Sequence, residues 1–227
     1  MRSWGSRADT VVCDEPFYAH YLAQTNYTHH PSFPEIVAHH ETRWQRVVEQ
    51  LTGPLPRGKS VFYQKQMAHH LLPHIPLEWT DELTNVFLIR DPREMLLSLL
   101  EFFPDPTLPE TGLPQQVQLL ERVVRRGADA VVIDARDVLC DPRGMLTRLC
   151  DRIGIAYDEA MLRWEPGLRE TDGIWARDWY DKVARTTTFV PYRAKPGAVP
   201  LGHRPLLAEC QALYDALAAY KFEPPAA

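Results

Sequence analysis

Arg90 and Ser98 stand eight residues apart in NVFLIRDPREMLLS, residues 85–98. Four apolar residues, Val86-Phe87-Leu88-Ile89, run straight into the arginine. Asp91 suits a helix N-cap, Pro92 a first helical position, and Glu94 the place three residues after the cap. An arginine where a strand stops and a helix starts suits a phosphate. Helix N-terminal N–H groups carry partial positive charge, and a guanidinium adds a bidentate donor. Ser98 follows Glu94 by four residues and shares its helical face, where it offers a hydroxyl. The competing reading pairs Arg90 with Asp91 or Asp134 and makes Ser98 a small packing residue.

The element before this corner has counterparts. Thr10-Val11-Val12-Cys13, Ser60-Val61-Phe62-Tyr63 and Ala130-Val131-Val132-Ile133 are β-branched or aromatic runs without polar alternation. With Val86–Ile89 they read as strands buried on both faces, as in a parallel sheet. Helical patterns separate them at 35–51, 114–126 and 142–153, with a last one at 205–221. Strands alternating with helices predict an α/β layer fold with a mostly parallel sheet. Each strand ends in charge: Asp14-Glu15, Gln64-Lys65, Arg90-Asp91 and Asp134-Ala135-Arg136-Asp137. Ligands of open α/β sheets lie outside the carboxyl ends of the strands. Glu15, Lys65 and Arg90 are therefore candidates for one crevice, against the plainer reading that charge caps any strand leaving a core.

The chain has 227 residues, 45% hydrophobic and 24% charged, which suits one α/β domain over 1–227. Residues 10–155 read as the core sheet and helices, and 156–227 as a C-terminal lid and helix. A formal charge of −5 argues against a broad nucleic-acid footprint while allowing a local basic pocket. Cys13, Cys140, Cys150 and Cys210 form no CxxC pair, so small buried thiols in a reducing compartment are expected. No apolar run approaches ~18 residues and the N-terminus has no apolar signal core, giving the expectation of a cytoplasmic protein without a membrane span. Adjacent histidines such as His39-His40 and His69-His70 point about 100° apart on a helix and rarely share an ion. No HExxH or cysteine cluster supports a metal, and none is expected.

The strand–Arg–Asp–Pro–helix–Ser pattern resembles the 3′-phosphate element of the sulfotransferase superfamily. DARDVLCDPRGMLTRLCDRIG (134–154), DEPFYAHYL (14–22) and QKQMAHHLL (64–72) resemble further family segments in the same order. The resemblance implies a P-loop NTPase-like fold and transfer of a sulfuryl group from 3′-phosphoadenylyl sulfate (PAPS) to a hydroxyl or amine of a small-molecule acceptor. It implies Arg90 and Ser98 on the donor's 3′-phosphate and Lys65 on the sulfuryl or bridging oxygen. The general base is implied at Glu15, or at His69 or His70. Glu15 is preferred, because His69 lies four residues after Lys65 where the cytosolic branch of the family has its histidine two after.

The family's N-terminal strand and Gly-Ser-Thr loop for the 5′-phosphosulfate have no match, and TVVC corresponds to a later strand. An N-terminally truncated architecture, with impaired activity for the chain as written, is the expectation. The family's C-terminal glycine–lysine loop is not evident either; DGIWARDWYDKV (172–183) is a candidate for its place, with Trp175 and Trp179 able to stack on a base, against the commoner reading of such tryptophans as core or lid residues. The rival functions are a nucleotide-binding, kinase-like α/β enzyme, which would need a phosphate loop and a magnesium-holding acid, and a non-catalytic protein of sulfotransferase fold.

Overall fold

The computed structural model describes residues 1–27 and 30–223; Thr28, His29 and 224–227 lie outside the described residues. In chain order the strands are β1 (Thr10–Asp14), β2 (Val61–Lys65), β3 (Val86–Ile89) and β4 (Val131–Asp134). The helices are α1 (Tyr18–Thr25), α2 (Phe33–His39), α3 (Trp44–Leu51), α4 (Pro92–Leu99), α5 (Leu113–Arg125), α6 (Ala135–Cys140), α7 (Pro142–Arg152), α8 (Ala176–Trp179), α9 (Asp181–Ala184) and α10 (Arg204–Ala218). The fold is α/β, with parallel strands flanked by helices, as the sequence predicts. The chain divides into two compact units, residues 1–82 with 158–189 and residues 83–157 with 190–227.

In the first unit β1 and β2 pair in parallel, with Thr10 opposite Val61 and Asp14 opposite Lys65. Register alone therefore brings a carboxylate and an ammonium to the same strand end. The ladder runs one bond further, from the Glu15 N–H to the Lys65 carbonyl at 2.8 Å. Trp4 stacks on Tyr63, ring centroids 5.0 Å apart. Tyr18, Ala19, Leu22, Ile36 and Trp175 form the buried core beside α1 and α2.

The helix predicted over 35–51 is two helices, α2 and α3, broken at residues 40–43. The Thr42 carbonyl accepts from the His20 ring at 2.7 Å, and the Glu41 carboxylate accepts from the Arg43 N–H at 2.9 Å. Side chains thus take backbone groups that a continuous helix would use.

In the second unit β3 and β4 pair in parallel, from Val86 opposite Val131 to Ile89 opposite Asp134. Phe87, Ile89, Leu96, Leu120, Val132, Cys210 and Leu217 pack as the core between this ladder and α4, α5 and α10. Each such burial contributes roughly 1.5–3 kcal/mol. The expectation of strands buried on both faces holds for β4 and fails for β3, where Val86 and Leu88 are 38% and 56% exposed. β3 pairs with β4 alone among the described residues, so one of its edges carries no ladder. Cys150 and Cys210 are buried, Cys13 is half-buried and Cys140 is exposed; none of the four is in a disulfide. Among the described residues no helix is long and apolar enough to cross a membrane.

Candidate functional site

The predicted site residues fall into two clusters, one in each unit. In the second unit the capping sequence forms as expected: Asp91 caps α4 and its carboxylate accepts the Glu94 N–H at 3.0 Å. Arg90 leaves the end of β3 and donates to the Ser98 hydroxyl at 3.3 Å. Ser98 donates in turn to the Glu94 carbonyl at 3.0 Å. Arg90 does not take Asp91 or Asp134 as its ion partner. Its guanidinium lies 3.6 Å from Glu94, while Asp134 caps α6 and accepts the Tyr214 hydroxyl at 2.6 Å.

A third group joins this cluster that sequence reasoning missed. Lys195 donates to Ser98 Oγ at 3.0 Å and also pairs with Glu101. Its loop is pinned to α4 by Arg93, which donates to the carbonyls of Lys195 at 2.7 Å and Gly197 at 2.8 Å. Gly197 sits at φ +102°, where an L side chain is strained, so a glycine suits the turn. Buried Glu94 accepts the Tyr192 hydroxyl at 2.8 Å and the Lys195 N–H at 3.0 Å. Desolvation pushes the Glu94 carboxyl up, but these two donors, with Arg90 and Arg93, outweigh it and hold it below the usual carboxylate range. Arg90, from the residue before the cap, and Lys195 thus converge on a hydroxyl in the last turn of α4, and two cations with a hydroxyl are donors that fit a phosphate. The signal for Lys195 was the Lys-Pro-Gly at 195–197, a lysine beside a turn glycine, which is the loop type expected to be absent.

In the first unit Lys65 Nζ reaches Glu15 Oε1, Asp14 Oδ1 at 3.3 Å and the Tyr180 hydroxyl at 2.7 Å. The Tyr180 hydroxyl donates to Asp14, 2.8 Å from either oxygen, and lies 3.4 Å from Glu15 Oε1. Glu15 has φ +43°, a left-handed backbone that costs a non-glycine residue about 1 kcal/mol or more and gathers at functional sites. Burial raises its carboxyl above the usual value; Lys65 opposes this, Asp14 adds to it, and the Tyr180 hydroxyl opposes it. Burial, then Glu15 and Asp14, push the Tyr180 phenol far up, so its proton stays in place. A base that takes a proton readily and a cation beside it are thus built from three elements.

The segment that delivers Tyr180 is fixed by Arg2, which grips Asp172 at 3.1 and 2.8 Å. The next N–H, of Gly173, donates to Asp14 Oδ2 at 3.3 Å. A Cβ at Gly173 would lie 2.1 Å from the Trp175 ring. Trp175 is 2% exposed and packs edge-on against Tyr18, so residues 172–183 do not offer it as a base-stacking platform. The candidate replacement loop is instead core and strand-end support.

His69 lies in a short helical turn, Ala68–His70, and packs edge-on against Tyr21 and His70. The Lys65 ammonium takes Glu15, Asp14 and Tyr180 as its hydrogen-bond partners, so the carboxylate candidate is the one the fold brings to the lysine. His70 is buried, stacks on Tyr18 at 4.8 Å, and burial holds its imidazole well below the usual value. Among the described residues no group of His, Cys, Asp and Glu side chains is placed to hold a metal ion.

The described fold thus carries an arginine–serine corner at β3 and α4 and a carboxylate–lysine strand end at β1 and β2, each on a parallel strand pair. Residues 1–221 match the sulfotransferase domain family, and the chain belongs to it. It is 32% identical over 219 residues to branched-chain-amino-acid aminotransferase-like protein 2 of Arabidopsis thaliana, covering 96% of this chain and 38% of that protein. It is also 32% identical over 217 residues to the aminotransferase-like protein 1 of the same plant, covering 96% and 39%. The chain thus spans under two-fifths of these relatives. A solved sulfotransferase domain, from the Synechococcus PCC 7002 olefin synthase, matches over 95% of both chains at 16% identity and a TM-score of 0.46.

Proposed function

We propose that the chain uses PAPS as donor and transfers its sulfuryl group to a hydroxyl or amine of a small-molecule acceptor. The observation that carries this reading is the convergence of Arg90 and Lys195 on the Ser98 hydroxyl in the last turn of α4. These residues fit the donor's 3′-phosphate. PAPS supplies an activated sulfuryl group on a phosphate leaving group. Glu15 receives the acceptor's proton at Oε2, because Oε1 is held by Lys65. The acceptor's O–H or N–H bond breaks as its new bond to sulfur forms, and the bond from sulfur to the leaving phosphate oxygen breaks. Lys65 stabilises negative charge that develops on the moving group or the leaving oxygen.

Calorimetry with 3′,5′-diphosphoadenosine and with ATP tests the donor class. Binding of ATP in preference to the diphosphonucleotide would overturn it. Transfer of labelled sulfate, compared with Glu15→Gln, tests the chemistry. The variant is expected to lose roughly 10²–10⁴-fold in rate while keeping nucleotide affinity. Nucleotide binding without any transfer, on a folded chain, favours a binding protein of this fold.

A further inference from the structure

We infer that Asp14 and Tyr180 are a positioning pair, which holds the Lys65 ammonium in place while Glu15 changes its protonation state. The inference rests on the proposed function and assigns roles to two residues beside the Glu15–Lys65 pair.

Hydrogen-bond chemistry fixes the directions. An ammonium has only donors, so the Tyr180 oxygen accepts from Lys65 at 2.7 Å. Its single proton must then go elsewhere, and Asp14 is the acceptor at 2.8 Å. Asp14 also accepts the Gly173 N–H at 3.3 Å and the Lys65 ammonium at 3.3 Å. Its side chain is 1% exposed, against 11% for Glu15 and 27% for Lys65. Asp14 is thus the deepest and most donor-rich of the three charges. Glu15, nearer to solvent, has no hydrogen-bond partner at Oε2 among the described residues.

The consequence concerns charge balance during the reaction. With both carboxylates ionised, Lys65 faces two negative partners. When Glu15 takes the acceptor's proton, one of them is neutralised at the moment Lys65 is needed as a cation. Asp14 remains as its counter-ion, and the Tyr180 oxygen keeps one ammonium proton occupied. The charged and titratable groups facing Glu15 are Lys65 from β2, Asp14 from its own strand end, Tyr180 from the α8–α9 segment and Tyr18 from α1, and the Met1 amino group faces Lys65 and Asp14.

The test is the titration of the Glu15 carboxyl in the full chain, followed by NMR with carboxyl-labelled glutamate and assigned by its loss in Glu15→Gln. In Asp14→Asn a like charge disappears, and the Glu15 midpoint is expected to move to lower pH. In Tyr180→Phe a nearby hydroxyl dipole is lost and Asp14 loses its strongest neutral donor, so the midpoint is expected to move to higher pH. The position of Lys65 is read beside the titration from the 15N-labelled ammonium, whose exchange with solvent is expected to quicken in both variants; residues that only support the backbone would leave it unchanged. Unmoved midpoints, or movement in the same direction in both variants, would overturn the inference. If Asp14→Asn fails to fold, Tyr180→Phe decides alone, an upward movement supporting the pair and no movement refuting it. The titration needs neither donor nor acceptor, so a wild-type chain that fails to bind 3′,5′-diphosphoadenosine refutes the proposed function and not this positioning.

Discussion

Lys195 Nζ and Ser98 Oγ lie 3.0 Å apart although 97 residues separate them in the chain. The contact joins α4 to a loop whose local mark, Lys-Pro-Gly, does not say which helix it meets. Lys195→Met is expected to weaken 3′,5′-diphosphoadenosine binding by about 1.5 kcal/mol or more, the lower range for a hydrogen bond to a charged group. Calorimetry reads this directly. Unchanged affinity would remove the 190–200 loop from the site.

Arg90→Ala should cost at least the same ~1.5 kcal/mol. Because Arg90 and Lys195 both donate to Ser98, their effects should not add. The double variant is expected to differ from the sum of the singles by roughly 0.5 kcal/mol or more, as for residues sharing a partner. Strict additivity in a double-mutant cycle would mean that the two cations act on separate ligands or on none.

The geometry of the Arg90–Ser98 corner was legible because its parts are contiguous. A β-branched run, an arginine, Asp-Pro and a glutamate three residues after the cap are read within one strand and one helix turn. The Glu15–Lys65 pair was half legible. Each residue follows its strand, but the register that sets Asp14 opposite Lys65 is a property of the ladder, and Tyr180 arrives from a short helical segment more than a hundred residues later. The break at residues 40–43 was hidden for the same reason. Apolar spacing favoured one helix, and a carbonyl acceptor for His20 won locally. Trp175 and Trp179 carried no mark to separate a buried edge-to-face ring from a stacking platform.

Glu15 links stability to pH in a direction opposite to most carboxylates. Its folded-state value lies above the ordinary 4.5 because burial outweighs Lys65. Its protonated form therefore favours folding, fully below the ordinary value, and that contribution is lost as pH rises through the folded value. Glu15→Gln stays neutral throughout. Thermal unfolding of the two proteins should coincide in acid, and the variant should become the more stable as pH approaches neutrality. A wild-type advantage at neutral pH would show that Lys65 wins over burial.

Gly173→Ala places a methyl 2.1 Å from the Trp175 ring. Overpacking of this kind costs ~1–3 kcal/mol. The shift should also lengthen the Gly173 N–H contact to Asp14, so the loss of stability should come with a changed Glu15 titration. A fully stable variant, measured by denaturant unfolding, would mean that the indole moves aside freely.

The outward side chains of β3 have a consequence for handling the protein. Leu88 is 56% exposed, Val86 38%, and the strand edge beside them carries no ladder among the described residues. A short apolar strand with free N–H and C=O groups is a template for another chain. Left bare at high concentration, it makes the second unit adhesive, and its colloidal behaviour depends on whichever extended segment reaches that edge first.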